Sequence, residues 1–239
     1  MLLIFLFRPK INLFKILFLT FNFQLSTLSM FSFFRAQQFY YLVYFIILVW
    51  ATAFTFNMNQ FEPLFYFDAH RDDILNFYFR WITEFGDIYP YLFFATIFLI
   101  QKKRIEVFKI ALVGFITILV SLILKNVFSH IRPGTILDQS HFMTAFHWVK
   151  NYPILKGTNS FPSGHATSAF AIWSMLAFTQ PRNILFGMCC LFIACSVCVS
   201  RIYLCAHFPQ DVIAGSFVGL WIATCVEFIF LNRTSNEFN

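Results

Sequence analysis

Three clusters of polar residues interrupt a very apolar chain, and each holds side chains suited to gripping or attacking an anion. Pro162-Ser163-Gly164-His165 opens one apolar run. The proline rules out a regular helix continuing through it, and the serine is a natural N-cap for a helix that follows. The free amides of such a helix start, with the dipole behind them, favour an anion. A histidine in the first turn can exchange protons with whatever those amides hold. Lys125 and Arg132 form the second cluster. Their spacing is about two helical turns, so one helix would point both cations the same way, with Pro133 stopping it straight after the arginine. The third cluster is Ser200-Arg201 followed by His207 and Asp211. The planar fork of Arg201 suits two phosphate oxygens at once. A carboxylate one turn from an imidazole fixes its tautomer and leaves the opposite nitrogen free as a nucleophile.

Each cluster alone also has a structural reading. Lys125 and Arg132 could snorkel from a helix end, and Arg201 could anchor a helix at the interface. A His-x-x-x-Asp pair is common as a structural contact, and capping serines beside histidines occur in inert helix starts. The chemical reading rests on the elements that carry the clusters and on the side of a membrane to which they bring them.

Those elements are apolar. The chain has 239 residues, 59% hydrophobic and 12% charged, against about 25% charged in soluble domains. The composition indicates an all-α, polytopic membrane helical bundle. The net charge of +6 could suit nucleic acid, but the basic residues form no continuous stripe and sit at the ends of apolar segments, so no nucleic-acid partner is expected. Six cysteines include a Cys195-x-x-Cys198 pair, yet no second Cys/His pair at ligand spacing accompanies it. They read as small residues at a helix interface, and no metal or other cofactor is expected.

Six spans are expected, near Gln38 to Phe56, Glu84 to Ile100, Ile105 to Leu124, Ser163 to Phe178, Ile184 to Val199 and Asp211 to Leu231. Residues 1–34 form a separate basic and apolar segment, interfacial or signal-like, and 35–239 form the six-helix domain. The stretch from Asn57 to about Arg80 reads as an amphipathic extramembrane helix. The cluster Gln101-Lys102-Lys103-Arg104 marks a cytoplasmic loop. Both termini are then cytoplasmic, and all three polar clusters fall at the outer face. The stretch between Lys125 and Pro162 is too long for a simple helix connection and suggests a partly ordered lid. His130, His141 and His147 lie in or beside it, where they could touch a headgroup but read first as solvated or structural, and His70 reads as surface.

Taken together, Lys125-x6-Arg132-Pro133, Pro162-Ser163-Gly164-His165 and Ser200-Arg201-x5-His207-x3-Asp211 resemble the three-part signature of the type 2 phosphatidic acid phosphatase superfamily, in order and at every position. The resemblance implies that His207 attacks phosphorus to form a phosphohistidine while Asp211 orients and charges its imidazole. His165 would protonate the leaving oxygen and then deprotonate the hydrolytic water. Lys125, Arg132, Ser163, Gly164 (through its backbone amide) and Arg201 would hold the phosphate oxygens, and Ser200 would support Arg201 or the local turn. No metal is needed in the family. Three cations and a helix start already supply the positive field a magnesium ion would otherwise give.

The expected activity is therefore that of a phosphatase acting on a phosphorylated membrane lipid. It would sit in the bacterial inner (cytoplasmic) membrane with its active site at the periplasmic face. General character is most like the lipid A 1-phosphatases, with undecaprenyl diphosphate, phosphatidylglycerol phosphate and phosphatidate as alternative substrates. Two other classes compete. The vanadium haloperoxidases hold vanadate with an equivalent constellation but are soluble. A non-catalytic carrier of the same fold would place polar residues near the membrane midplane, whereas these collect at one face. The sequence leaves the oligomeric state open.

Overall fold

The computed structural model of the protein describes residues 31–140 and 144–236, with side chains described as far as residue 231. Of the expected 1–34 segment, residues 1–30 lie outside the described residues, as does His141. By backbone contacts the chain divides into a unit of residues 37–227 and a second that joins residues up to Ala36 with those from Phe228 onward. In the second unit, residues 31–36 are helical. All three polar clusters lie in the first.

No strand occurs among the described residues. The helices are α1 Gln38–Phe56, α2 Glu62–Ala69, α3 Asp73–Ile82, α4 Tyr89–Ile100, α5 Arg104–Phe128, α6 Pro133–Gln139, α7 Gly164–Phe178, α8 Ile184–Tyr203 and α9 Pro209–Asn236, with a 3-10 turn at Thr83–Gly86. Four stretches are long and apolar enough to cross a membrane: Gln38–Phe56, Arg104–Gln139, Ile184–Tyr203 and Pro209–Leu231.

One expected span is shorter than the sequence suggests, and another keeps its expected bounds. The second begins at Tyr89 rather than Glu84, because the 3-10 turn occupies Thr83–Gly86, which leaves α4 with 12 residues. The fourth, α7, has 15 residues. Both fall short of the roughly 20 needed to span. From Ala166 to Phe178 every residue of α7 except Ser168 is buried, as befits a helix that is apolar all round. It is the core of the molecule, with α5, α8 and the 3-10 turn packed on it.

Close approach to α7 is set by small residues. Gly215 and Gly219 lie one turn apart on α9. A Cβ at Gly215 would stand 2.7 Å from the Ser163 carbonyl oxygen, and one at Gly219 would collide with that of Thr167. This is the small-xxx-small device by which membrane helices bring their backbones together. Tyrosines of α1 supply polar pins: Tyr40 pairs with Ser174 at 2.8 Å and Tyr44 with Ser216 at 3.3 Å. At the end of α5 away from Lys125, Lys109 bonds Glu106 and Glu227 of α9 at 3.2 and 3.0 Å.

The expected continuous helix through Lys125 and Arg132 does not form. α5 ends at Phe128, with Ser129 in the left-handed region at φ 39° and its amide bonded to the Lys125 carbonyl. Pro133 begins α6 instead of stopping α5. Proline suits a first helical position, since the missing N–H would be unpaired there anyway, and it drives the preceding residue extended. Arg132 accordingly has ψ 149°. The Asn57 to Arg80 region is two short helices rather than one. Asp72 caps α3 by accepting from the Leu75 amide at 2.8 Å, and α3 lays Phe79 on Tyr203 at the end of α8, ring centroids 4.4 Å apart.

Candidate active site

Local sequence forces decide where each polar side chain stands. Ser163 is the N-cap of α7: its hydroxyl accepts from the Ala166 amide and its carbonyl from Thr167. That leaves the amides of Gly164 and His165 as the unpaired donors of the helix start. The Ser163 amide donates to the Asp211 carbonyl at 2.9 Å, which ties the start of α7 to the start of α9. Lys125, in the last turn of α5, reaches across so that its Nζ lies 3.5 Å from where a Cβ on Gly164 would be. His165, half-buried, follows directly.

Arg201 closes α8 and is 1% exposed. Its Nη1 donates to Thr83 Oγ1 at 2.8 Å and to the Tyr152 hydroxyl at 2.7 Å, while its buried Nε has no partner. A buried guanidinium nitrogen without an acceptor is costly unless a ligand supplies one. Arg132, 8% exposed, donates from Nε to Asn159 Oδ1 at 2.9 Å and from Nη1 to the Ala206 carbonyl at 3.2 Å. Ser200 donates to the Val197 carbonyl at 2.6 Å, so it braces its own helix.

Beyond α8 the chain folds back on Arg201. Cys205 takes φ 54°, and the amides of Ala206 and His207 both donate to the Arg201 carbonyl. That turn places His207, 2% exposed, beside the fully buried Asp211. The two side chains face each other at ion-pair distance, with His207 Nδ1 3.6 Å from Asp211 Oδ2, longer than a hydrogen bond. Ser160 joins them, donating to Asp211 Oδ2 at 2.6 Å with its oxygen 3.2 Å from His207 Nδ1. The serine spends its only proton on the carboxylate, so it accepts from Nδ1–H and leaves Nε2 with a free lone pair. Asp211 also accepts from the Phe208 amide at 3.0 Å and meets His130 Nδ1 at 3.2 Å. Burial first, and then Arg201 and Arg132, push the His207 pKa down to about 3 against the opposing pull of Asp211. Near neutral pH the imidazole is uncharged, the form in which it is a nucleophile.

Two cavities open onto this cluster. One, of about 930 Å³, counts His165 and Arg201 among its lining residues, with Arg80, Glu84 and Asn151. The other, of about 700 Å³, is lined by Lys125, Gly164 and His165. Among the described residues no group of three His, Cys, Asp or Glu side chains is arranged to hold a metal ion.

The structure thus brings together Lys125, Arg132, Ser163, Gly164, His165, Arg201, His207 and Asp211. It adds Ser160, Thr83, Tyr152 and Asn159, which the sequence did not mark, and gives His130 a place the sequence did not. Ser160 stands beside a recognised cluster, but nothing in its local pattern tells it from a loop serine. His130, read as solvated or structural, is in contact with Asp211. His147 takes the structural role expected of it, bonding Asp68 at 3.2 Å, and His70 is exposed. The arrangement can hold a tetrahedral oxyanion between three cations and a helix start, present a neutral imidazole to it, and supply a second histidine for proton transfer.

Comparison with known proteins finds phosphatases among those similar to this chain. A lipid A 1-phosphatase from Rhizobium johnstonii is 37% identical over 73 residues, which cover 30% of this chain and 28% of that protein, so the likeness spans under a third of either. An undecaprenyl-diphosphatase from Sulfolobus acidocaldarius is 26% identical over 171 residues, 70% of this chain and 75% of that one. The crystal structure of Aquifex aeolicus LpxE shares the fold with a TM-score of 0.57 and 21% identity, covering 70% of this chain and 93% of the other. The family model described as the PAP2 superfamily matches residues 106–234, which hold all three polar clusters and more than half of the chain, and the protein belongs to that superfamily.

Proposed function

We propose that this chain is a membrane phosphatase that removes phosphate from a lipid through a phosphohistidine. The observation that carries the reading is Arg201 Nε, a buried donor without a partner in a guanidinium fixed by Thr83 and Tyr152. The Arg201 side chain lines the cavity that His165 also lines. In this mechanism Lys125, Arg132, Arg201, Ser163 and the Gly164 amide hold the phosphate oxygens. His207 Nε2 attacks phosphorus, and the bond to the lipid oxygen breaks as His165 delivers a proton to it. Water then attacks the phosphohistidine, His165 takes its proton, and inorganic phosphate leaves with His207 restored. Asp211, through Ser160, stabilises the charge His207 gains. A non-catalytic carrier would have no use for that backing of the imidazole.

Lipid A at the 1-position is the substrate we favour, supported by the likeness to the Rhizobium protein. The longer alignment with the Sulfolobus protein favours undecaprenyl diphosphate as the second reading. Mass spectrometry of lipid A from cells with and without the gene separates them: loss of the 1-phosphate is expected only when the gene is present, and an unchanged 1-phosphate would move the assignment to undecaprenyl diphosphate.

The same proposal makes residues 35–239 one phosphatase domain in the inner membrane, with α4 and α7 completing six crossings, both termini cytoplasmic and the site periplasmic. It is supported by the basic residues Lys102 and Lys103 between α4 and α5 and Arg104 at the start of α5, at the end of α5 opposite Lys125. A periplasmic reporter fused after Lys156 should be active and one after Arg104 silent, and the reverse would overturn this topology. The reaction needs no metal, so activity should survive excess EDTA, and loss restored by magnesium would contradict it.

A further inference from the structure

The Asp211 carboxylate is held at both oxygens, and only one of the residues holding it reaches water. Oδ2 accepts from the buried Ser160 hydroxyl at 2.6 Å and from the Phe208 amide at 3.0 Å. Oδ1 faces His130 Nδ1 at 3.2 Å and, among the described residues, bonds no other group. An ionised carboxylate only accepts, so Nδ1 of His130 carries the hydrogen that joins them. The His130 side chain is 39% exposed, against 0% for Asp211 and 2% for His207. Its backbone is built into the same place. α5 ends at Phe128, and left-handed Ser129 turns the chain. Residues 130–132 then run beside 157–160: the Ser160 amide donates to the His130 carbonyl and the Arg132 amide to that of Gly157, both at 2.9 Å. The imidazole makes edge contacts with the Phe208 and Phe161 rings, at centroid distances of 5.9 and 6.5 Å. Ser160, whose hydroxyl bridges His207 and Asp211, is thus tied by its amide to the residue on the far oxygen of Asp211.

We propose that His130 is a positioning residue of the reaction: it fixes the Asp211 carboxylate in the orientation from which, through Ser160, Oδ2 stabilises the charge on His207. Resting on the phosphatase reading, this gives a part in turnover to a residue that need not touch phosphate. Without His130 a fully buried oxygen loses its one partner. An unpaired buried acceptor is costly, so the carboxylate is expected to rotate toward other donors and draw Oδ2 away from Ser160. The loss falls on the charge formed as His207 attacks. The grip on phosphate, supplied by Lys125, Arg132 and Arg201, is left in place.

The test uses the full chain in detergent. Dioleoyl phosphatidate, lipid A and undecaprenyl diphosphate are offered in turn, and the one hydrolysed fastest serves for all variants. His130→Ala should lower kcat roughly tenfold with KM little changed, the scale of one hydrogen bond to a charged group. His130→Asn places an amide N–H where Nδ1 stands and should recover most of that loss. His130→Gln places it where Nε2 stands and should not. In an Asp211→Asn background, His130→Ala should cost less than about twofold further, since the two residues act as a unit. Wild-type kcat in folded His130→Ala, a loss confined to KM, or equal rates in the Asn and Gln variants would overturn the inference, as would full additivity with Asp211→Asn. Orthovanadate binding gives a reading independent of turnover, because vanadium takes an imidazole nitrogen as a further ligand in the geometry of phosphoryl transfer. Affinity should fall in the same order, with wild type and His130→Asn above His130→Gln and His130→Ala, and equal affinities in all four would overturn the inference. Absence of phosphate release from all three lipids by the wild type would instead count against the phosphatase reading, while vanadate would still decide the part of His130.

Discussion

Ser160 Oγ stands between His207 Nδ1, 3.2 Å away, and Asp211 Oδ2, 2.6 Å away, while the imidazole and the carboxylate are themselves 3.6 Å apart. The charge that His207 gains on attacking phosphorus is therefore passed to Asp211 through a hydroxyl. Ser160→Ala breaks this bridge and leaves Asp211 with one acceptor site empty. Hydrogen bonds to charged groups are worth roughly 1.5–3 kcal/mol, so kcat should fall by about ten- to a hundredfold with KM little changed. Ser160→Thr should recover most of it. A KM effect with kcat intact would remove Ser160 from the relay.

Arg201→Lys should lose about as much activity as Arg201→Ala. The guanidinium is fixed through Nη1 by Thr83 and Tyr152, and only its planar fork leaves further donors aimed at an anion. Loss of one such electrostatic donor costs ~10²–10³ in kcat. Phosphate release by Arg201→Lys within a few-fold of wild type would mean that charge alone suffices there.

The acid dependence of stability has a definite sign. Burial holds the His207 pKa at about 3, below the unfolded value of ~6.5, so the unfolded chain binds the extra proton first as pH falls. The stabilising contribution of the neutral imidazole is complete above about pH 6.5 and is lost progressively toward pH 3. Thermal midpoints in detergent should drop from pH 7.5 to pH 5 in the wild type and drop less in His207→Gln. Equal slopes would show that His207 is not held neutral.

Gly219→Ala should lower the thermal midpoint without altering KM for substrate in the protein that remains folded. The added Cβ meets the Thr167 carbonyl and the Phe170 side chain, and overpacking of this kind costs about 1–3 kcal/mol. An unchanged midpoint would mean that α9 and α7 have room to separate.

The polar clusters were legible because their chemistry is carried by residue type and spacing: Ser163 as a cap, Arg201 as a fork, and His207 one turn from Asp211. The turn after Phe128 was not, because a left-handed Ser129 has no sequence signature, and Pro133 fits a helix start as well as a stop. Nor were Ser160, His130, Thr83 and Tyr152, whose parts depend on contacts that only the tertiary fold creates. The burial of α7 escaped for a related reason. Hydrophobicity identifies a buried helix but does not say whether lipid or neighbouring helices cover it.

The central claim is that His207 carries the phosphoryl group. Incubating the purified protein with a lipid phosphate labelled on phosphorus, quenching in alkali to preserve phosphohistidine, and mapping the labelled peptide tests it most directly. Label is expected on the peptide containing His207, with both label and phosphate release abolished in His207→Ala. Continued phosphate release by His207→Ala, or label on a different residue, would contradict the account.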